Sequence, residues 1–220
     1  MLAGSIARPV SRRLALSITL ALAFPARAVS ADPTLGFLED WPGTSLQGWG
    51  GGATNSNPGR GGVGGSGDGF LMVATPSLGR LAVVGTGAPY TGNWQAAGIT
   101  RIDLWLDDVG NDDSLEIHVA IGNGANFWIY NQGFRPPEHA WAEFSVDLTS
   151  SSGFTRIIGT GSFDQALQSA DRIQIRHDLP PFGQSPDPIQ ADVGIDHLLL
   201  GGESSPVEPV TWGRIKALYR

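Results

Sequence analysis

The stretch RHDLPPFGQSPDPIQADVGID, residues 176–196, sets Arg176, His177 and Asp178 side by side and follows them with Asp187, Asp192 and Asp196. A guanidinium, an imidazole and several carboxylates are the ingredients of acid–base catalysis or of a metal site. His177 and Asp178 are sequence neighbours, so in a strand they point to opposite faces and cannot relay a proton. Ser-His-Asp chemistry also needs a serine on a sharp strand-to-helix turn, and no G-x-S-x-G stretch occurs. The histidines, at 118, 139, 177 and 197, lie far apart with no H-E-x-x-H spacing. The chain has no cysteine, which excludes thiol catalysis, zinc–thiolate sites and redox chemistry.

Paired carboxylates for glycoside hydrolysis must flank one cleft at roughly 5–10 Å. Asp103, Asp107, Asp108, Asp112, Asp113, Glu116, Glu143 and Asp147 supply acids in number, yet no spacing singles out an acid and a nucleophile. DDVGNDD (107–113) reads as a solvated turn. GVGGSG (62–67) matches the G-x-G-x-x-G dinucleotide pattern but lacks the preceding strand and following helix that give the pattern its meaning.

The elements that position these residues are short and alternate with period two. FLMVA (70–74), RLAVV (80–84), GITRIDLWL (98–106), SLEIHVAI (114–121), NFWIYN (126–131), WAEFSVDL (141–148), FTRII (154–158), DRIQIRH (171–177) and VGIDHLLL (193–200) are separated by Gly, Pro, Asn and Asp clusters. With LGFLED at the start, about ten strands are expected in an antiparallel sandwich. Ser162 with Gln165 forms a capping box before Phe163, Ala166 and Leu167, so one short helix is expected there. Between Gly48 and Gly69, 11 of 22 residues are glycine, which reads as a long, partly flexible surface loop.

The flanks read differently. Arg8, Arg12 and Arg13 precede LALSITLALAF (14–24) and small residues up to Ala31, the pattern of a cleaved secretory signal over 1–31. The leader carries four arginines and no acids, so its removal takes the net charge from −7 to −11. That balance argues against nucleic-acid partners and anionic membranes. The apolar run is too short to span a bilayer, so a secreted or cell-surface location is expected. The domain is expected over 32–200, a Pro/Gly/Ser linker over 201–210 and a short basic amphipathic tail over 211–220, TWGRIKALYR, which could engage a protein partner.

One face of the expected sheets gathers aromatic and polar side chains: Arg101 and Trp105, then Glu116 and His118, then Trp128 and Tyr130, then Gln174 and Arg176. Aromatic rings against C–H faces, with Arg, acid and amide groups on hydroxyls, are what a sugar requires. These eight are the expected ligand-binding residues.

GFLEDWPGTSLQGWGG, GSGDGFLMV, AGITRIDLWL, NFWIYNQGFRPPEHAWAEFSVDLT and DRIQIRHDLPPFGQSPDPIQADVGIDHLLL together resemble secreted jelly-roll domains with a galactose-binding-like fold. That group includes carbohydrate-binding modules and laminin B type domains. The resemblance implies an all-β, antiparallel jelly-roll sandwich with one short helix. It also implies a structural calcium ion joining the first strand to the last, held by Glu39, with Asp40 as substitute, and Asp196, with Asp68 as a further candidate. Calcium takes six to eight oxygen ligands, and a disulfide-free extracellular sandwich gains from such a clip. The expected function is a non-catalytic module that binds a glycan or extracellular polymer. The alternatives are a structural or adhesive matrix domain acting through protein contacts, or a polysaccharide hydrolase.

Overall fold

The computed structural model describes residues 33–110 and 113–202; the expected leader, Asp112, most of the linker and the basic tail lie outside the described residues. The strands in chain order are β1 (Leu38–Glu39), β2 (Trp49–Gly50), β3 (Thr54–Ser56), β4 (Leu71–Ala74), β5 (Gly79–Arg80), β6 (Ala82–Gly85) and β7 (Arg101–Asp108). Then follow β8 (Ile117–Asn123), β9 (Asn126–Tyr130), β10 (Ala142–Asp147), β11 (Phe154–Gly159), helix α1 (Phe163–Gln168), β12 (Arg172–His177), β13 (Pro188–Ile189) and β14 (Asp192–Gly201).

Two antiparallel sheets face each other. One runs β10-β7-β14-β4-β3, with β1 also paired to β14, and the other runs β11-β9-β8-β12-β6-β2. They are called here the β7 sheet and the β8 sheet. Alternation decides their facing: Ile102, Leu104 and Leu106 of β7 meet Ile117, Val119 and Ile121 of β8, with Ile173 and Ile175 of β12, in one core. The intervening residues of β7 (Arg101, Asp103, Trp105 and Asp107) point outward and are half-buried or exposed. Helix α1 has the expected capping box, with Ser162 Oγ accepting from Gln165 N and Gln165 Oε1 accepting from Ser162 N. It lays Phe163 over one end of the core, stacked on Phe154 at 4.2 Å.

Strand β14 organises the β7 sheet. One edge pairs with β7, and the other is divided between β4, opposite residues 192–195, and β1, opposite residues 198–199. The pairing with β7 slips between Asp196 and Leu199, and His197 there takes a φ of 45°. The resulting bulge turns Asp196 and His197 into the gap between β4 and β1, as bulges re-aim side chains.

The glycine-rich segment is ordered, contrary to the sequence expectation. It contributes β2 and β3 and then folds over the outside of the β7 sheet. Its backbone N–H groups find acceptors on side chains: Val63 N donates to Asp196 Oδ2 at 2.8 Å, Gly64 N to Asp68 Oδ2, and Phe70 N to Asn57 Oδ1. Trp141 Nε1 donates to Gly61 O from across the sheet. A Cβ on Gly62 would stand 2.6 Å from Asp196 Oδ2 and 2.7 Å from Asp68 Oδ2, so glycine is required by close approach there.

Candidate functional site

The eight expected ligand residues do not form one surface. Arg101 and Trp105 lie on the outer face of the β7 sheet, whereas His118, Gln174 and Arg176 lie on the outer face of the opposite sheet. Trp128 and Tyr130 point inward, against the expectation, because β9 turns Phe127 and Ile129 to the outside. Trp128 packs edge-on against Phe163 at 5.7 Å, and Tyr130 packs on Phe154 at 5.0 Å. Glu116 precedes β8 and pairs with Arg135 Nη2 at 2.7 Å.

The outer face of the β8 sheet is roofed. His118 and Arg176, register partners on adjacent strands, are both fully buried. Residues 178–187 cross above them. Phe182 meets the His118 ring edge-on at 4.9 Å, and Arg176 donates to the carboxylate of Asp178, to Gly183 O at 2.8 Å and to Gln184 O at 3.2 Å. Burial pulls the Arg176 guanidinium below its usual range and pushes the Asp178 carboxyl up, with each opposed by the other's charge. Arg176 and Asp178 thus form a structural pair that fastens the roof. Burial likewise lowers His177, which turns its Nδ1 to the backbone of Glu116.

The expected calcium ligands divide. Glu39 faces inward, 6% exposed, and accepts a hydrogen bond from Tyr90 Oη at 3.0 Å. Asp40 turns the other way, its Oδ1 2.7 Å from His197 Nε2. Asp40, Asp196 and His197 offer ligand atoms within 4.8 Å of one another, and Asp68 stands across Gly62 from Asp196. Asp196 is fully buried, and burial pushes its carboxyl up to about 6 despite hydrogen bonds from Val63 N and His197 N.

The outer face of the β7 sheet beyond the glycine-rich segment stays open. Its register lines up Glu143, Trp105 and Asp196 in one row, and Ser145, Asp103, Leu199 and Leu38 in the next. Arg101 sits opposite Asp147 in a third row. Asp103 is held at both oxygens, by Arg101 Nε at 2.7 Å and by Ser145 Oγ at 2.7 Å. Trp105 is half-buried, Leu38 is 48% exposed, and Glu143 and Ser145 are exposed. The arrangement is an indole beside a fixed carboxylate, a guanidinium, a hydroxyl and a free carboxylate.

No family model matches this chain, and no curated protein does. Among solved structures, an exo-β-agarase superposes with a TM-score of 0.52 at 10% identity, over 78% of this chain and 25% of that one. A family 11 carbohydrate-binding module from Clostridium thermocellum, in complex with a β-1,3-1,4-mixed-linked tetrasaccharide, aligns at 0.48 and 19% identity, covering 76% of this chain and 95% of that one. A xylan-binding domain from Paenibacillus barcinonensis aligns at 0.46 and 10%, covering 76% and 98%. At these identities the likeness concerns the fold. The chain folds as an antiparallel jelly-roll sandwich.

Within this jelly roll, the site residues that the sequence alone does not place are those whose roles depend on pairing. Ser145 and Glu143 join the Trp105 face only through the β10–β7 register, although their outward alternation in WAEFSVDL was available. His197 enters the acid cluster through the bulge in β14. Phe182, in the Pro-rich loop, becomes the plug over His118. Among the described residues no helix of the jelly roll is long and apolar enough to cross a membrane.

Proposed function

We propose that this jelly roll is a secreted, non-catalytic module that binds a glycan or related extracellular polymer across the open face of the β7 sheet. The observation that carries the reading is Trp105, flanked by Asp103 with both carboxylate oxygens already hydrogen-bonded and by Arg101, Ser145 and Glu143. A flat ring takes the C–H face of a sugar, and pre-oriented polar groups meet its hydroxyls at low entropic cost. On the β8 sheet the corresponding surface is taken up by residues 178–187.

A structural calcium ion at Asp40, Asp68 and Asp196 belongs to this reading. The fit rests on donor chemistry: Asp40 and Asp196 offer carboxylate oxygens within 4.8 Å of each other beside His197, and the Asp68 carboxylate stands across Gly62 from Asp196. Glu39 is outside that set because Tyr90 holds it in the interior. Such an ion would supply charge neutralisation and tie β1, β14 and the glycine-rich segment together.

Affinity electrophoresis of the mature protein through a panel of soluble polysaccharides tests the binding. Retardation by at least one polysaccharide, with no release of reducing sugar, is the expected result. Migration unaffected by every polysaccharide rejects the glycan reading and leaves protein contacts as the alternative. Release of reducing ends identifies a hydrolase instead.

A further inference from the structure

The open end of the sandwich beside β1 holds a depression of about 450 Å³. Its walls are Phe37, Leu38, Pro42, Pro89 and Tyr90, with Gln47 at the rim. Phe37 meets Tyr90 edge-on at 5.7 Å, and the two prolines fix the backbone of both walls. Glu39 lines the base, 6% exposed.

That carboxylate has two neutral neighbours, the Tyr90 hydroxyl at 3.0 Å and the Trp49 indole. Its charged neighbour is another acid, Asp40, and no lysine, arginine or histidine of the described residues pairs with it. A buried charge without a counter-charge is costly, and native structures pair such groups. Here the unpaired carboxylate borders an accessible, rigid, largely apolar pocket of the size that takes small ligands.

We infer that this pocket is a second binding site, for a protonated amino sugar whose ammonium group supplies the missing counter-charge at Glu39. The ring's C–H face lies against Phe37 and the two prolines, and the Gln47 amide reaches its hydroxyls. The pocket meets the open face only at Leu38, in the row beside Trp105, and the inference stands if the reading of that face fails.

Titration calorimetry near neutral pH, with the β-1,4-linked dimer of glucosamine, its N-acetylated counterpart and cellobiose, tests the inference. The glucosamine dimer is expected to bind at least tenfold tighter than either neutral dimer. Glu39→Gln keeps a hydrogen-bonding group toward Tyr90 and should erase that preference, whereas Trp105→Ala should leave it intact. Gln47→Lys alters an exposed rim position and places a competing ammonium at the mouth, so it should also abolish binding of the amine even if Glu39→Gln fails to fold. Equal affinities for the three dimers, an unchanged preference in Glu39→Gln or Gln47→Lys, or its loss in Trp105→Ala would each overturn the assignment.

Discussion

Removing the Asp178 carboxylate should do more damage than removing any exposed charge of this domain. Arg176 is fully buried and Asp178 is 1% exposed, so Asp178→Ala leaves a guanidinium in the interior held by the carbonyls of Gly183 and Gln184, with the Asp187 carboxylate as its remaining nearby counter-charge. Breaking one side of a buried ion pair costs about 3–5 kcal/mol. At roughly 2–4 °C per kcal/mol for a domain of this size, the Tm should fall by about 6–20 °C. The loss is local as well as global, because the same guanidinium fixes the loop that roofs the β8 sheet. Limited proteolysis should therefore find new cleavage between 179 and 187 before the domain melts. The double variant Arg176→Met/Asp178→Leu, which removes both charges, should recover much of the stability while leaving the loop less well anchored. Urea denaturation of the three proteins measures this. A loss under about 1 kcal/mol for Asp178→Ala, or a double variant less stable than the single, would refute the account of the pair as the fastening of the roof.

Three further outcomes follow from the other side of the sandwich. Gly62→Ala forces a methyl group within 2.6 Å of the Asp196 carboxylate and 2.5 Å of Gly69 O, so it should lower stability by on the order of 2 kcal/mol in a urea melt; a neutral effect would mean the segment yields there. Asp196, at about 6 when folded against an ordinary 3.8, keeps a proton that the unfolded chain has already lost. Its contribution to stability is therefore fully present at low pH and is lost as pH rises through about 4 to 6, by roughly 3 kcal/mol in total. In chelator, the stability difference between Asp196→Asn and the parent should shift in the variant's favour between pH 4 and pH 7; a difference independent of pH would contradict this. Calcium should raise the Tm at pH 7 in the parent and not in Asp196→Asn, and an unchanged parent Tm after chelation and after calcium addition would remove the ion from the account.

How much of this was legible in the sequence depends on the range of the interaction involved. WAEFSVDL and SLEIHVAI are apolar on one face only, and both strands face as their alternation indicates. NFWIYN is apolar on both faces, so alternation alone leaves its facing open. The roof loop with Ile157 and Ile158 covers Phe127 and Ile129, and that sends Trp128 and Tyr130 into the core. Local alternation does not separate the surface of Arg101 and Trp105 from that of His118, because strand-to-sheet membership is set by pairings over long sequence separations. The glycine-rich segment looked flexible for the same reason: the acceptor for Val63 N lies 133 residues away. Glu39 and Asp40 are adjacent, so only one of them could face the acid cluster. The bulge at His197 selected Asp40.

The most direct test of the central claim compares Trp105→Ala with Trp128→Phe in binding to a polysaccharide that retards the parent protein. Trp105 stands on the open face and Trp128 in the interior against Phe163. Loss of a stacking ring at the centre of a binding surface costs more than about 1.4 kcal/mol, which is tenfold in Kd. The account predicts that Trp105→Ala keeps the parent Tm within a few degrees and weakens binding at least tenfold, while Trp128→Phe lowers the Tm and leaves the affinity of the folded protein unchanged. Full affinity in Trp105→Ala, with binding lost in a folded Trp128→Phe, would contradict it.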